Sequence, residues 1–159
     1  MQKAKEYLDL TDHDSEVVSQ LDIAAHRVGD ESCFYEAFAL RGIRVDRVEP
    51  GLVVCTFKVP PRLTDRAGNF ASGAIANLVD VVGNSTVYYL GRPMNVSVDM
   101  TISYVSKAKI DDELEITSKR LGERGRYLGT MVLLRNKATG EIIAEGRHSL
   151  FRSNVVPKL

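Results

Sequence analysis

Asp80 lies in Ala76-Asn77-Leu78-Val79-Asp80-Val81, a largely apolar run in which a carboxylate needs water or a partner. In a closed cleft, desolvation would raise its pKa and make it a general base or a nucleophile. On an open amphipathic face it is simply a solvated aspartate. The stretch Gly68-Asn69-Phe70-Ala71-Ser72-Gly73 leads directly into the same segment. Backbone N–H groups at a helix start are unpaired and aimed outward, so they can hold a carbonyl oxygen that becomes an oxyanion. Ser72 also reads as an ordinary N-cap, and the two roles are compatible.

Other chemistry is sparse. His13 and His26 read as surface residues of an acidic N-terminal segment, and His148, in a strand-like run, reads as structural. Cys33 and Cys55 sit among apolar neighbours and read as buried free thiols in a reducing compartment. No nucleophile elbow, phosphate-cradling loop or dinucleotide-binding glycine fingerprint occurs. No metal site is expected, because no histidine lies near another ligand at a useful spacing.

The elements that must position Asp80 follow from periodicity. Ser72 to Leu90 predicts one long helix, with Ile75, Leu78, Val79, Val82 and Tyr89 on its apolar stripe and Asp80 well off it. Gly83, costly inside a helix, marks either a close approach by another backbone or simple tolerance. Two shorter helices are expected at Ser15–Val28 and Cys33–Leu40. Ile43–Val48 and Leu52–Val59 read as a hairpin across Glu49-Pro50-Gly51. Four strands follow, at Met94–Ser106, Glu113–Leu121, Arg126–Asn136 and Glu141–Arg152, with turns at Asp111-Asp112, Gly122–Gly125 and Ala138–Gly140. In the first of them Val96, Val98, Met100, Ile102 and Tyr104 alternate with Ser97, Asp99, Thr101 and Ser103. The fold class is α+β, a six-stranded antiparallel sheet curved around one helix.

At this point a resemblance is visible. Asp65-Arg66-Ala67-Gly68-Asn69-Phe70-Ala71-Ser72-Gly73, Leu78-Val79-Asp80 and Val96-Ser97-Val98-Asp99-Met100-Thr101-Ile102-Ser103-Tyr104 resemble the hotdog-fold acyl-CoA thioesterases. The nearest type is that called thioesterase superfamily member, related to the bacterial phenylacetate-pathway thioesterases. The likeness runs from about Gly51 to Phe151 and includes Ala144-Glu145-Gly146-Arg147-His148. It implies a hotdog domain at 42–159, preceded by an N-terminal helical extension at 1–41 like that of plant relatives. It also implies a homodimer with sites at the interface, commonly doubled to a homotetramer.

By the same resemblance, Asp80 is the base or nucleophile and Ser97 orients water. Ser72, with Gly73 next to it, supplies the oxyanion-hole N–H. CoA enters as part of the substrate, and no further cofactor is implied. Two positions depart from the family pattern: its His-Gly-Gly entering the helix is Ala71-Ser72-Gly73 here, and its loop asparagine is Asp65. An ionised carboxylate cannot donate to a thioester carbonyl, so either Asp65 would instead orient water or the loop would be displaced. These departures motivate an alternative, a non-catalytic acyl-CoA or acyl-group binding protein. A hotdog dehydratase would need an aspartate and a histidine in one site, and no histidine follows Asp80 until His148.

Charge fits this division. The chain carries 21 Lys+Arg and 21 Asp+Glu, so the basic excess of a nucleic-acid binder is missing. Residues 1–31 hold three cations against eight carboxylates, and the remainder holds eighteen against thirteen. Lys107, Lys109, Arg124 and Arg126, beside strand ends and turns, are candidate contacts for the CoA phosphates. No apolar run approaches the roughly 20 residues of a membrane span. The ending Pro157-Lys158-Leu159 resembles a peroxisomal address, so the expected location is cytoplasmic or peroxisomal.

Overall fold

The computed structural model describes residues 8, 11–21, 27, 34–88 and 95–152. It divides into two compact units, 1–35 and 36–159. In the first, helix α1 spans Asp12–Ser19, starting earlier than the expected Ser15, and its Val17 and Val18 are exposed. Most of the remainder of the expected Ser15–Val28 helix lies outside the described residues, as do Cys33, Tyr89, the residues 91–94 and the C-terminal tripeptide. Helix α2 spans Phe34–Leu40.

Six strands form one sheet: β1 Arg44–Glu49, β2 Leu52–Lys58, β3 Asn95–Tyr104, β4 Glu113–Arg124, β5 Tyr127–Asn136 and β6 Ile142–Arg152. Their spatial order is β1-β2-β4-β5-β6-β3, and every described pairing is antiparallel. Helix α3, Ser72–Ser85, lies against the sheet, touching β3, β4, β5 and β6. The expected stripe is buried as read: Ile75, Leu78, Val79 and Val82 meet Phe57, Leu114, Ile116, Leu134 and Ile143 from the strands. Each fully buried aliphatic side chain of this kind contributes about 1.5–3 kcal/mol. The approach is closest at Gly146 on β6, where a Cβ would stand 2.5 Å from Val79 Cγ1.

In the sheet and the helix packed on it, two boundaries and one strand register differ from the sequence expectation. Helix α3 stops at Ser85, not Leu90, because the Ser85 and Thr86 hydroxyls both donate back to the Val82 carbonyl, and Thr86 also bonds Ser118 on β4. Strand β4 runs on to Arg124, so the expected Gly122–Gly125 turn is displaced to Gly125-Arg126. The even alternation of β3 is broken as well. Ser97 pairs with Leu150 and Asp99 with Ser149, which leaves Val98 as an extra, bulged residue. Directly opposed residues share a face, and Leu150, His148, Gly146 and Ala144 form the helix side of β6. Ser97 therefore points toward α3 together with Met100, Ile102 and Tyr104, whereas Val96 points the other way. Among the described residues no helix is long and apolar enough to cross a membrane.

Candidate active site

The bulge at Val98 brings Ser97 onto Asp80. Ser97 Oγ donates to Asp80 Oδ1 at 2.7 Å. A third side chain completes the cluster: His148 Nε2 is 3.0 Å from Ser97 Oγ and 3.2 Å from Asp80 Oδ1. Ser97 has one hydrogen, and it is on Asp80. His148 Nε2 therefore carries the imidazole proton and donates to this pair. The tautomer follows from the same count. Nδ1 is buried without a partner, and a bare acceptor there costs less than a stranded N–H.

The exposures divide the roles. The His148 side chain is fully buried, whereas that of Asp80 is 44% exposed. Burial holds the His148 pKa below its usual value, with the Asp80 charge opposing. A neutral imidazole thus supports the carboxylate from beneath and does not reach substrate. Both described contacts of Asp80 fall on Oδ1, which leaves Oδ2 to receive a water. The cleft above it, about 370 Å³, is lined by Glu36, Val81, Asn84, Ser85 and Tyr88 together with Asp80 and Ser97.

Gly83 explains how the ring fits. A Cβ there would lie 2.8 Å from His148 Nδ1 and 3.1 Å from Thr130 Oγ1. The close approach is a side-chain ring, not the second backbone that the sequence suggested. Sequence alone reads His148 as structural; the fold joins it to Asp80. Its signal was present in the period-two run Ala144, Gly146, His148, Leu150, which places it on the core face of β6.

The start of α3 forms a second cleft, of about 280 Å³, lined by Asp65, Asn69, Ser72, Tyr104 and Lys107 among others. The residue at the N-cap is Ala71, not Ser72, and its methyl group caps nothing. Phe70 N–H donates to Ala108 O and Ala71 N–H to Leu63 O, which fixes the approach. Ala74 and Ile75 donate to Ala71 O, whereas the N–H groups of Ser72 and Gly73 have no described acceptor. Gly73 faces open space, since a Cβ would meet nothing within 4 Å. These are the free donors an oxyanion needs.

Asp65 turns its carboxylate onto its own loop. Its Oδ1 accepts the N–H groups of Ala67 at 2.8 Å and Asn69 at 2.9 Å, and both carboxylate oxygens take the Asn69 amide. Those hydrogen bonds from Asn69, then Ala67, and the Lys107 charge hold its pKa below the usual carboxylate range. Of the four cations singled out by sequence, Lys107 lines this cleft. The Lys109 N–H is bound by the Asp112 carboxylate. Arg126 donates to Arg152 O and covers the Phe151 ring at 4.5 Å, and Arg124 lies beside it at the β4–β5 turn; neither lines the two clefts.

The two clefts belong to opposite ends of one helix segment. Ser72 and Asp80 are eight residues apart, about 12 Å along an α-helix. A carbonyl held at Ser72 is therefore beyond the reach of a water on Asp80 of the same chain, since reacting atoms must come within about 3–3.5 Å.

Comparison with known proteins shows the family and the fold. The model of a family described as the thioesterase superfamily matches residues 67–143. Acyl-coenzyme A thioesterase 13 of Homo sapiens is 39% identical over 106 residues, 66% of this chain and 76% of the relative. The crystal structure of zebra fish thioesterase superfamily member 2 is 35% identical, with a TM-score of 0.69 over 75% of this chain and 93% of that one. A hypothetical thioesterase protein from Streptococcus pneumoniae TIGR4, solved with coenzyme A, shares the fold at 23% identity, with a TM-score of 0.68 over 72% of this chain and 88% of that one.

Proposed function

The chain belongs to the thioesterase superfamily, and from that premise we propose that it hydrolyses an acyl-CoA to the free acid and CoA, at sites shared between two copies of itself. The observation that carries this reading is Asp80, half exposed, oriented by Ser97 and His148 through Oδ1 and free at Oδ2. Water bound to Oδ2 is positioned for attack on the thioester carbonyl, with Asp80 accepting its proton. The N–H groups of Ser72 and Gly73 stabilise the oxyanion as the carbonyl becomes tetrahedral. Collapse of that intermediate expels the CoA thiolate, which takes up a proton, and leaves the acid. Direct attack by Asp80 through an acyl anhydride would use the same oxygen, Oδ2.

The distance along α3 supports the shared site. Asp80 of one copy and the helix start of the other would face a common substrate across an isologous dimer, a two-fold arrangement that closes on itself. Edge strand β3, ten residues long with Val96 and Val98 exposed, supports the same pairing. Further doubling to a tetramer, and a peroxisomal address, belong to the reading by resemblance. The binding-only alternative rests on Ala71 and Asp65; the Asp80–Ser97 pair and the N–H groups of Ser72 and Gly73 favour turnover over it.

The experiment is thiol release from a panel of aliphatic and aromatic acyl-CoAs. Release from at least one class supports the proposal. Micromolar binding of acyl-CoA without release from any would replace it with the binding module.

A further inference from the structure

An oxyanion at the start of α3 would have the Ser72 and Gly73 N–H groups beneath it, but the cleft around it also holds side chains. Asp65 is acceptor-only and occupied. The Tyr104 hydroxyl donates to Ser72 O at 3.3 Å, and that of Ser106 to Ile142 O at 2.7 Å. Three side-chain donors remain: the Ser72 hydroxyl, the Lys107 ammonium and the Asn69 amide. Only the amide is fixed by another side chain, its Nδ2 lying 3.3 Å and 3.4 Å from the two Asp65 oxygens. Those contacts also identify which end of the amide is nitrogen, because an oxygen would be repelled there. One Nδ2 hydrogen serves Asp65, and the second has no described acceptor.

We propose that Asn69 is a catalytic residue, donating its second amide hydrogen to the thioester carbonyl oxygen, and that Asp65 is the positioning residue that orients it. This rests on the hydrolase reading above and adds a donor to it. Three features join in one arrangement. Asp65 is organised by the Ala67 and Asn69 N–H groups, the left-handed Gly68 (φ +74°) closes the turn between them, and Asn69 N–H and side chain answer the same carboxylate. A donor held in place before the reaction costs no reorganisation as charge develops on the oxygen, and that is where such a bond gains most. A carboxylate in the loop, which cannot itself donate to a carbonyl, is accounted for by the amide it holds.

The test compares wild type, Asn69→Ala and Asn69→Leu for kcat and KM on the best acyl-CoA of the panel, with CoA affinity and thermal melting measured alongside. Asn69→Leu keeps roughly the side-chain volume and abolishes the donor without setting a second carboxylate against Asp65, so it decides the matter if Asn69→Ala melts early. The expected result is a fall in kcat of about 10²-fold in both variants, the size of one lost oxyanion donor, with KM and CoA affinity within about threefold. A purely structural role for Asn69 would instead lower melting and CoA affinity together. Either that pattern or a kcat equal to wild type overturns the inference and leaves the hydrolase reading standing. Loss of turnover in Ser72→Ala but not in Asn69→Ala assigns the donor to the serine hydroxyl and overturns it too. A wild type without turnover on any acyl-CoA removes both readings.

Discussion

Gly83 is the seat of His148: a Cβ at position 83 would stand 2.8 Å from the buried Nδ1 of the ring. The hydrogen at a glycine Cα is what lets the imidazole lie against α3 with Nε2 reaching Ser97 and Asp80. Gly83→Ala should therefore lose more from crowding, about 1–3 kcal/mol, than the ~1 kcal/mol an alanine gains in helix propensity. A lower melting temperature with reduced kcat checks this. A variant as stable and as active as wild type would show that the ring has room to move.

The buried His148 ring gives stability a pH dependence with a definite sign. Burial lowers its folded-state pKa, so the unfolded chain takes up the proton first. The stability due to neutral His148 is fully present above the unfolded value of about 6.5 and is lost as pH falls below it. Chemical denaturation at pH 7.5 and 5.5 should show wild type losing more stability than His148→Asn over that interval. Equal losses would mean that the ring titrates normally.

Ser97→Ala removes a hydroxyl that donates to Asp80 Oδ1 and accepts from His148. His148 still reaches Asp80 at 3.2 Å, so the carboxylate keeps one support. The expected effect is a fall in kcat of roughly 10–100-fold with KM little changed, the pattern of a residue serving the transition state. A rise in KM alone would place Ser97 in ground-state binding.

Proline is well accepted at the first residue of a helix, where its missing N–H is not needed for the helix itself. Ala71, in extended conformation at φ −65°, ψ 136°, is compatible with a proline after it. Ser72→Pro should thus fold normally while losing about 10²–10³-fold in kcat through the missing oxyanion donor. If sites are shared between copies, mixing Ser72→Pro with Asp80→Asn restores activity. Half of a random mixture is hybrid dimer with one intact site of two, which gives about a quarter of wild-type turnover. No recovery after subunit exchange would mean that each copy carries a whole site.

Much of this was legible in residue order. The stripe Ile75, Leu78, Val79 and Val82 foretold the buried face of α3, because helical spacing is local and regular, whereas sequence leaves Gly83 open between a close approach and simple tolerance. What escaped was set by contacts distant in sequence. Strict alternation put Ser97 on the face of Asp99, Thr101 and Ser103, and only the bulge at Val98, expressed in the pairing of β3 with β6, turns it toward Asp80. His148 was invisible as a partner because 68 residues separate it from Asp80 and only the sheet order joins them. Helix α3 ended early because Ser85 and Thr86 found the Val82 carbonyl, a competition that an apolar period does not register. The hold of Asp65 on Asn69 escaped as a local detail, an aspartate that turns its carboxylate onto its own loop.

The central claim is that Asp80 activates the attacking water, and thiol release by Asp80→Asn tests it most directly. The amide keeps the size of the side chain but cannot accept the proton, so kcat/KM on the best acyl-CoA should fall by at least about 10²-fold, with melting close to wild type. Equal rates for the two proteins would contradict the account and remove Asp80 as the catalytic group.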